Sequence, residues 1–292
     1  MFRSCLICTN FTDGLQRFIG CVPDLAKSGL EKIIFFHSVP VWEEGEVPRI
    51  DEEKMAQARA RLAPARQKVP LGVEVIIEVV SGKPLDTIPR ILEKHPVDVI
   101  LTGTSIHSLL EEKFFGSTTK GLARCTEIPL MIFRPQLLIT YTIEELSLRC
   151  QHLWRYLLIP YSEGKAGNYL IEKIKQYAKN RPANSLEKCL LISVVEESGR
   201  ARNMIPYRLK EAEAKLREIQ QELVDLGLET QIKVTQGNPF QEILAAALDF
   251  DISAIAIAND YRSSLLEWTV PSLAENIMRN SWFPVLFFSP KK

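Results

Sequence analysis

A glycine followed by three hydroxyl residues, Gly116-Ser117-Thr118-Thr119, stands directly before a segment with helical patterning. The first backbone N–H groups of a helix have no partner within the helix, and the helix dipole places partial positive charge there. Together with hydroxyl donors, these groups suit an anion such as a phosphate. The same pattern also fits an ordinary N-cap, in which Ser117 or Thr118 accepts a hydrogen bond from the first turn and the glycine serves the loop.

Three further polar segments each follow an apolar run that is typical of a buried strand. They are Thr9–Asp13, His37–Val39 and Gly103–Ser105. In a parallel sheet the carboxyl ends of the strands meet at one edge, and ligands bind in the crevice beyond that edge. We therefore expect these segments and Gly116–Thr119 to line one crevice.

The elements that would position these segments alternate between strand and helix. In the first half of the chain, the apolar runs predict five strands, and amphipathic segments between them predict four helices. The strands are Ser4–Thr9, Lys32–Ser38, Val73–Val79, Val97–Thr102 and Leu130–Phe133, and the helices are Asp13–Ser28, Asp51–Gln67, Pro84–Lys94 and Ser117–Thr126. Such alternation with nearly continuous apolar strands is typical of a parallel sheet covered on both faces. The predicted fold class is α/β, with a doubly wound domain around a five-stranded parallel sheet.

The chain repeats itself. A shift of 155 residues lays Leu71–Pro135 on Leu226–Pro290 without a gap, and the matches fall on turn residues and strand cores such as Gly82 with Gly237. The earlier parts agree more loosely, with Cys5–Asp13 lying on Leu157–Lys165. A repeat of this length indicates two copies of one domain. We expect tandem domains over residues 1–137 and 155–292, with a linker over 138–154.

Composition excludes several classes of partner. The 292 residues are 46% hydrophobic and 25% charged, which fits two ordinary soluble domains. Since 36 basic residues balance 36 acidic ones, nothing favours nucleic acid or an anionic membrane as the main partner. The most apolar stretches are far shorter than the about 20 residues that cross a bilayer, and the first residues lack the pattern of a secretory signal. We expect a cytoplasmic protein without membrane insertion.

Cysteine and histidine usage excludes further kinds of site. The six cysteines lie mostly in apolar runs without metal-ligand spacing, so reduced core thiols are expected. The four histidines are scattered, and no metal site is predicted. No serine or cysteine stands in a nucleophile-elbow sequence, and no paired carboxylates accompany the crevice segments. The sequence therefore assigns no catalytic residue.

Several motifs in order carry a resemblance to a known family. Together they resemble a universal stress protein domain: Cys5–Asp13, Phe35–Ser38, Ser81–Pro84, Val97–Gly103, Gly116–Thr119 and Ile128–Pro135. Because the resemblance covers both halves, the chain is similar to a tandem universal stress protein. It implies a fold like that of the adenine nucleotide alpha hydrolases. Edge strands pair between subunits in that family, so it also implies that Leu130–Phe133 and Val285–Phe288 pair the two copies in a pseudo-twofold arrangement.

The resemblance also implies a site. Nucleotide-binding members carry a loop of the form Gly, two residues, Gly, nine residues, Gly, then Ser or Thr, and an Asp that ends the first strand. By this likeness Asn10, with Thr9 beside it, would face the base or ribose of ATP, and Ser38 would present backbone groups to adenine. The residues that would hold ribose and phosphates are Gly103, Gly116, Ser117 and Thr118.

The sequence departs from that pattern in both copies. In the first, Ile106 replaces a glycine, and Asn10 replaces the aspartate and so loses the charge that would help to hold magnesium. In the second, only Ser272 keeps its type, and the other positions are occupied by Ser162, Ala258, Tyr261 and Pro271. We expect no nucleotide in the second copy.

The resulting expectation is a universal stress protein in which ATP or another adenine nucleotide, bound by the first copy, changes the surface offered to an unidentified protein partner. Two alternatives stay open. One is a slow ATPase that uses the same crevice. The other is a nucleotide-free interaction module whose crevices are filled by side chains such as Ile106 and Tyr261. Self-association into a homo-oligomer is compatible with all three.

Overall fold

The computed structural model describes residues 1–41, 49–103, 117–196, 202–258 and 272–290. Its internal contacts divide the chain into two compact units. One comprises Phe2–Gln151 and is called the first unit below. The other comprises His152–Lys292 together with Met1 and is called the second unit.

The first unit is built on a parallel sheet. Its strands are β1 (Ser4–Cys8), β2 (Lys32–Val39), β3 (Glu74–Ser81), β4 (Val99–Gly103) and β5 (Leu130–Phe133). They lie in the order β3-β2-β1-β4-β5, and all neighbours are parallel. The chain winds outward from β1 to β3 and then returns past β1 to β4. The winding thus reverses between β1 and β4, where a doubly wound sheet leaves a crevice.

Six α-helices belong to the described part of the first unit. They are α1 (Val22–Lys27), α2 (Glu52–Leu62), α3 (Pro84–Lys94), α4 (Ser117–Cys125), α5 (Pro135–Thr140) and α6 (Ile143–Gln151). Short 3₁₀ helices precede α1 at Leu15–Cys21 and follow α2 at Ala63–Arg66. The single helix expected over Asp13–Ser28 is therefore two. Pro23 in the first turn of α1 has no N–H to continue the preceding helix, which accounts for the break.

The segment between the domains is more structured than a linker. We expected one over residues 138–154, yet α5 and α6 occupy most of that range. Helix α6 buries Leu146 and Cys150, and it packs on α1. Apolar residues at helical spacing bring this segment into the first unit, where Gln151 Nε2 also donates to Asp24 Oδ1 over 3.0 Å.

The second unit repeats the architecture. Its strands are β6 (Tyr156–Pro160), β7 (Lys188–Val195), β8 (Glu229–Gln236), β9 (Ala254–Ala258) and β10 (Val285–Phe288). Their parallel order is β8-β7-β6-β9-β10. Its described helices are α7 (Lys165–Lys179), α8 (Ile205–Asp225), α9 (Pro239–Asp249) and α10 (Leu273–Asn280). The predicted fold class, α/β with two tandem doubly wound units, is confirmed.

Matched backbone hydrogen bonds align the two units residue by residue after their first strands. Thr9 N donates to Phe36 O over 3.0 Å, and Tyr161 N donates to Ile192 O over 2.8 Å. Each bond joins the first residue after the central strand to the neighbouring strand. Counting onward from these pairs matches Asn10 with Ser162, Phe11 with Glu163, His37 with Ser193 and Ser38 with Val194.

Within the described residues, every helix is too short or too polar to cross a membrane.

Candidate functional site

A cavity of about 200 Å³ opens in the first unit at the carboxyl ends of β1 and β4, where the winding reverses. Five residues predicted from the sequence line it: Thr9, Asn10, Ser38, Gly103 and Thr118. The other lining residues are Cys8, Asp13, Phe36, Pro84, Thr102 and Thr119. Strand ends and the starts of α3 and α4 thus bring together segments that are far apart in the sequence.

Two predicted site residues are placed less completely. Gly116 lies outside the described residues, as does Ile106. Ser117 begins α4, but its side chain is not among the described ones. The role of all seven predicted residues in binding a ligand stays a prediction.

Asp13 is the charged residue of this cavity that the sequence analysis did not single out. Its side chain is buried, and its carboxylate accepts hydrogen bonds from Thr9 Oγ1 over 2.9 Å and from the backbone N–H groups of Asn10 and Leu15, each over 3.0 Å. Burial raises the pKa of Asp13, while these hydrogen bonds oppose the increase. Asp13 therefore holds the loop after β1 in a fixed shape, and it places negative charge on the cavity wall.

Gly103 has its own structural reason to lack a side chain. A Cβ atom there would lie 2.7 Å from Asp13 Cβ and 3.1 Å from the Asp13 backbone oxygen. These distances are far below van der Waals contact. The resemblance assigned this glycine to ribose and phosphate, whereas in the structure the room beside it is taken by Asp13.

Asn10 is exposed at the mouth of the cavity. Its Oδ1 atom accepts from Thr12 N and from Thr12 Oγ1, each over 2.8 Å, which forms a local turn. Among the described residues, no partner is recorded for Asn10 Nδ2. The amide therefore keeps two N–H donors for a ligand.

Two hydroxyl groups that line the cavity make hydrogen bonds within the protein. Ser38 Oγ donates to Gly82 O over 2.5 Å, and Thr119 Oγ1 donates to Thr102 Oγ1 over 3.3 Å. Thr119 and Thr102 are buried, while Thr118 is half-buried. Thr118 and Thr119 both line the cavity, and Thr118 is the more exposed of the two.

An aromatic and a cationic side chain stack beside the cavity. The Phe11 ring lies 4.3 Å from the His37 ring, and the Arg61 guanidinium lies 4.4 Å from the Phe11 ring centre. His37 Nδ1 donates to Thr9 O over 2.8 Å. Burial lowers the pKa of His37, and the nearby Arg61 charge adds to this effect. His37 is therefore a packed ring whose Nδ1 atom is engaged within the protein and whose neutral form is favoured.

The corresponding place in the second unit has different side chains. Tyr161 replaces Thr9, is buried, and donates its hydroxyl to Asn168 Oδ1 over 2.9 Å. Ala258 replaces Gly103, and Ser272 Oγ accepts from Glu275 N over 3.2 Å as an ordinary N-cap of α10. Tyr261 and Pro271 lie outside the described residues.

The chemistry available in the first-unit cavity is that of binding. Its described walls offer hydroxyls, an amide and one carboxylate, and that carboxylate is already held by three donors. Across the described ranges, no cluster of three or more His, Cys, Asp or Glu side chains is placed to hold a metal ion. A polar small molecule with hydrogen-bonding edges fits these walls.

The fold and the crevice define a class: tandem doubly wound α/β proteins with a small-molecule cavity at the point where the winding reverses. A model of the universal stress protein family matches residues 1–134 and again 157–289. The chain belongs to the universal stress protein family and contains two copies of its domain.

Solved structures show the same fold over the whole chain. A universal stress protein from Archaeoglobus fulgidus DSM 4304 is 19% identical, covers 98% of this chain and 98% of its own, and superposes with a TM-score of 0.66. A protein of unknown function from Pseudomonas aeruginosa PAO1 is 14% identical, with coverage of 99% and 93% and a TM-score of 0.59. At these identities the likeness shows the fold alone. No curated protein matches the sequence.

Proposed function

We propose that the first unit binds an adenine nucleotide in its cavity, with ATP as the first ligand to test, and that the second unit does not bind one in this way. The observation that carries the proposal is the convergence of Thr9, Asn10, Ser38, Gly103 and Thr118 on a single cavity at the switch point. Ligands of doubly wound sheets bind at that point.

Each wall has a part in this proposal. The free N–H donors of Asn10 meet the acceptor edge of the base or the ribose oxygens. The end of β2 at Ser38 offers backbone groups to the adenine edge, and Thr118 donates to a phosphate at the start of α4. Asp13 accepts from a ribose hydroxyl, because its charge disfavours a phosphate on the same wall.

The proposed response is a change of surface. Gly103 ends β4 and Thr118 stands in the first turn of α4, so a ligand that touches both bears on both ends of residues 104–116. That segment lies outside the described residues, and the proposal is that ligand binding changes the surface it offers. A protein partner in the stress response would recognise the changed surface.

The other hypotheses receive less support. An ATPase needs a base at the reacting atoms, yet the Asp13 carboxylate is engaged by three donors and His37 is not among the described residues that line the cavity. A nucleotide-free module needs filled crevices, whereas the first unit has an open cavity. The side chains suggested as fillers, Ile106 and Tyr261, lie outside the described residues.

The experiment compares matched variants by thermal shift and isothermal titration calorimetry with ATP. Asn10→Ala and Thr118→Val each remove one proposed donor and should weaken binding by about three- to tenfold, the usual worth of a hydrogen bond. Ser162→Ala changes the residue that corresponds to Asn10 in the second unit and should leave the affinity unchanged. Equal loss in Ser162→Ala, or no binding to the unaltered protein, contradicts the proposal.

A further inference from the structure

A second cavity, of about 220 Å³, lies in the second unit between the carboxyl ends of β6 and β7 and one face of α8. We call it the α8 cavity. Ser162, Glu163 and Ser193 line its strand side, and α8 contributes Arg208, Glu211 and Lys215. The first-unit cavity is lined instead from α3 and α4, so the two cavities use different helices.

The walls of the α8 cavity carry both signs of charge. Arg208, Glu211 and Lys215 follow one another at spacings of three and four residues, which places them on one face of the helix. Lys215 Nζ is paired with Glu218 Oε2 over 2.8 Å. Among the described residues, Arg208, Glu163 and Glu211 take part in no ion pair. All three residues are exposed, so one guanidinium and two carboxylates line this space in contact with solvent.

The first unit has an aromatic ring at the corresponding place. There Phe11 contacts both His37 and Arg61. The matching residues of the second unit are Glu163 and Ser193, and Lys215 precedes the fully buried Leu216 as Arg61 precedes the fully buried Leu62. The same place after the first strand thus holds an aromatic ring in the first unit and a carboxylate in the second.

We propose that the α8 cavity binds a small zwitterion with the chemistry of an amino acid. Its ammonium group meets the carboxylates of Glu163 and Glu211, and its carboxylate meets the guanidinium of Arg208. A zwitterion neutralises both kinds of wall charge as it displaces water from them. A simple anion would be repelled by Glu163 and Glu211, and a simple cation would be repelled by Arg208. This site is independent of the nucleotide proposal.

The test measures binding to the full chain. The twenty protein amino acids are supplied singly in a thermal-shift screen, and those that stabilise the protein are titrated by calorimetry. Inorganic phosphate and putrescine serve as probes for a lone anion and a lone cation. At least one amino acid should bind saturably, and phosphate and putrescine should bind at least about tenfold more weakly, since each meets only one kind of wall charge.

Variants locate the site. Arg208→Gln and Glu211→Gln should each weaken amino acid binding by at least about tenfold, because each removes a charge-assisted contact. Glu213→Gln is the matched control on the same helix, since Glu213 pairs with Arg217 outside the cavity, and it should have no effect.

A plug variant provides a second control. Glu163→Phe combined with Ser193→His copies the first unit, and it should abolish amino acid binding while ATP binding and folding persist. The proposal is overturned if no amino acid binds, if phosphate or putrescine binds as tightly as the best amino acid, or if binding survives the plug or the loss of Arg208.

Discussion

The loops that follow β1 and β6 begin with the same backbone hydrogen bond and differ in side chain at each of their first five positions. Thr9 N and Tyr161 N make the same hydrogen bond to the neighbouring strand. In the first unit the loop then turns inward and buries Asp13, whereas in the second the corresponding Lys165 is exposed and begins α7. Sheet hydrogen bonds involve the backbone alone, so a duplicated domain can keep its fold while the residues after its strands acquire another chemistry.

A second contrast between the same two loops concerns the positions of Phe11 and Glu163. The first unit packs Phe11 against His37, while the second has Glu163 and Ser193 at those positions. Within the described residues, the first-unit cavity lies against α3 and α4, whereas the α8 cavity lies against α8. The two halves of the chain are specialised for different ligands in our account.

The largest expected effect concerns Asp13. Asp13→Ala removes the acceptor of three hydrogen bonds and leaves the N–H groups of Asn10 and Leu15 without it, so the first unit should lose about 3 kcal/mol of stability. Hydrogen-exchange mass spectrometry can follow β1 and β4 separately from β6 and β9. Lys165→Ala, at the corresponding exposed position, should change protection little. Equal effects in both units would show that Asp13 does not anchor its loop.

The next effect concerns the glycine beside Asp13. Gly103→Ala places a methyl group against Asp13 and should cost about 2 kcal/mol through overpacking. The mirror change, Ala258→Gly, removes a methyl group from a strand end and should cost about 1 kcal/mol. The same exchange experiment measures both. A Gly103→Ala protein as stable as the parent would contradict the assigned packing.

The fold was predictable because the same pattern of strands and helices occurs in both halves of the sequence. Each unit alternates apolar strands with amphipathic helices, and the alignment of Leu71–Pro135 with Leu226–Pro290 fixes two copies. The segment that forms α5 and α6 was less predictable, since it has no counterpart in the repeat. Leu146 and Cys150 are buried on the helix that packs against α1, and α1 lies far away in the sequence.

The sequence predicted which strand ends line the first-unit cavity. Thr9, Asn10, Ser38, Gly103 and Thr118 do meet at one cavity, because parallel strands must end at a common edge. The sequence does not show which polar residue of Thr9–Asp13 turns inward, since that depends on the loop hydrogen bonds. Nor does it show that Gly103 packs against Asp13, which lies ninety residues earlier in the chain.

A smaller effect distinguishes an N-cap from an anion site. Ser272→Ala removes the cap of α10 and should cost about 1 kcal/mol of stability, with no change in ATP affinity. Ser117→Ala, at the corresponding residue where α4 begins, should weaken ATP binding instead. Unfolding and calorimetric titration measure the two quantities. If Ser117→Ala lowers stability alone, the cap interpretation of Gly116–Thr119 is the correct one.

The smallest effect is a dependence on pH. Because burial raises the pKa of Asp13 above its value in the unfolded chain, the folded first unit binds a proton more readily than the unfolded one. Asp13 therefore contributes most stability below its unfolded pKa, near 4, and this contribution is lost as pH rises through the folded pKa. Asp13→Asn should abolish that slope in denaturant titrations over mildly acidic pH. An unchanged slope would assign it to other groups.

The central claim is that nucleotide binding belongs to the first unit alone. Calorimetric titration with ATP gives the stoichiometry, and hydrogen exchange with and without ATP gives the location. Our account predicts a single nucleotide per chain, with new protection at the end of β1 and the start of α4. Two nucleotides per chain, or protection confined to the ends of β6 and the start of α10, would contradict it.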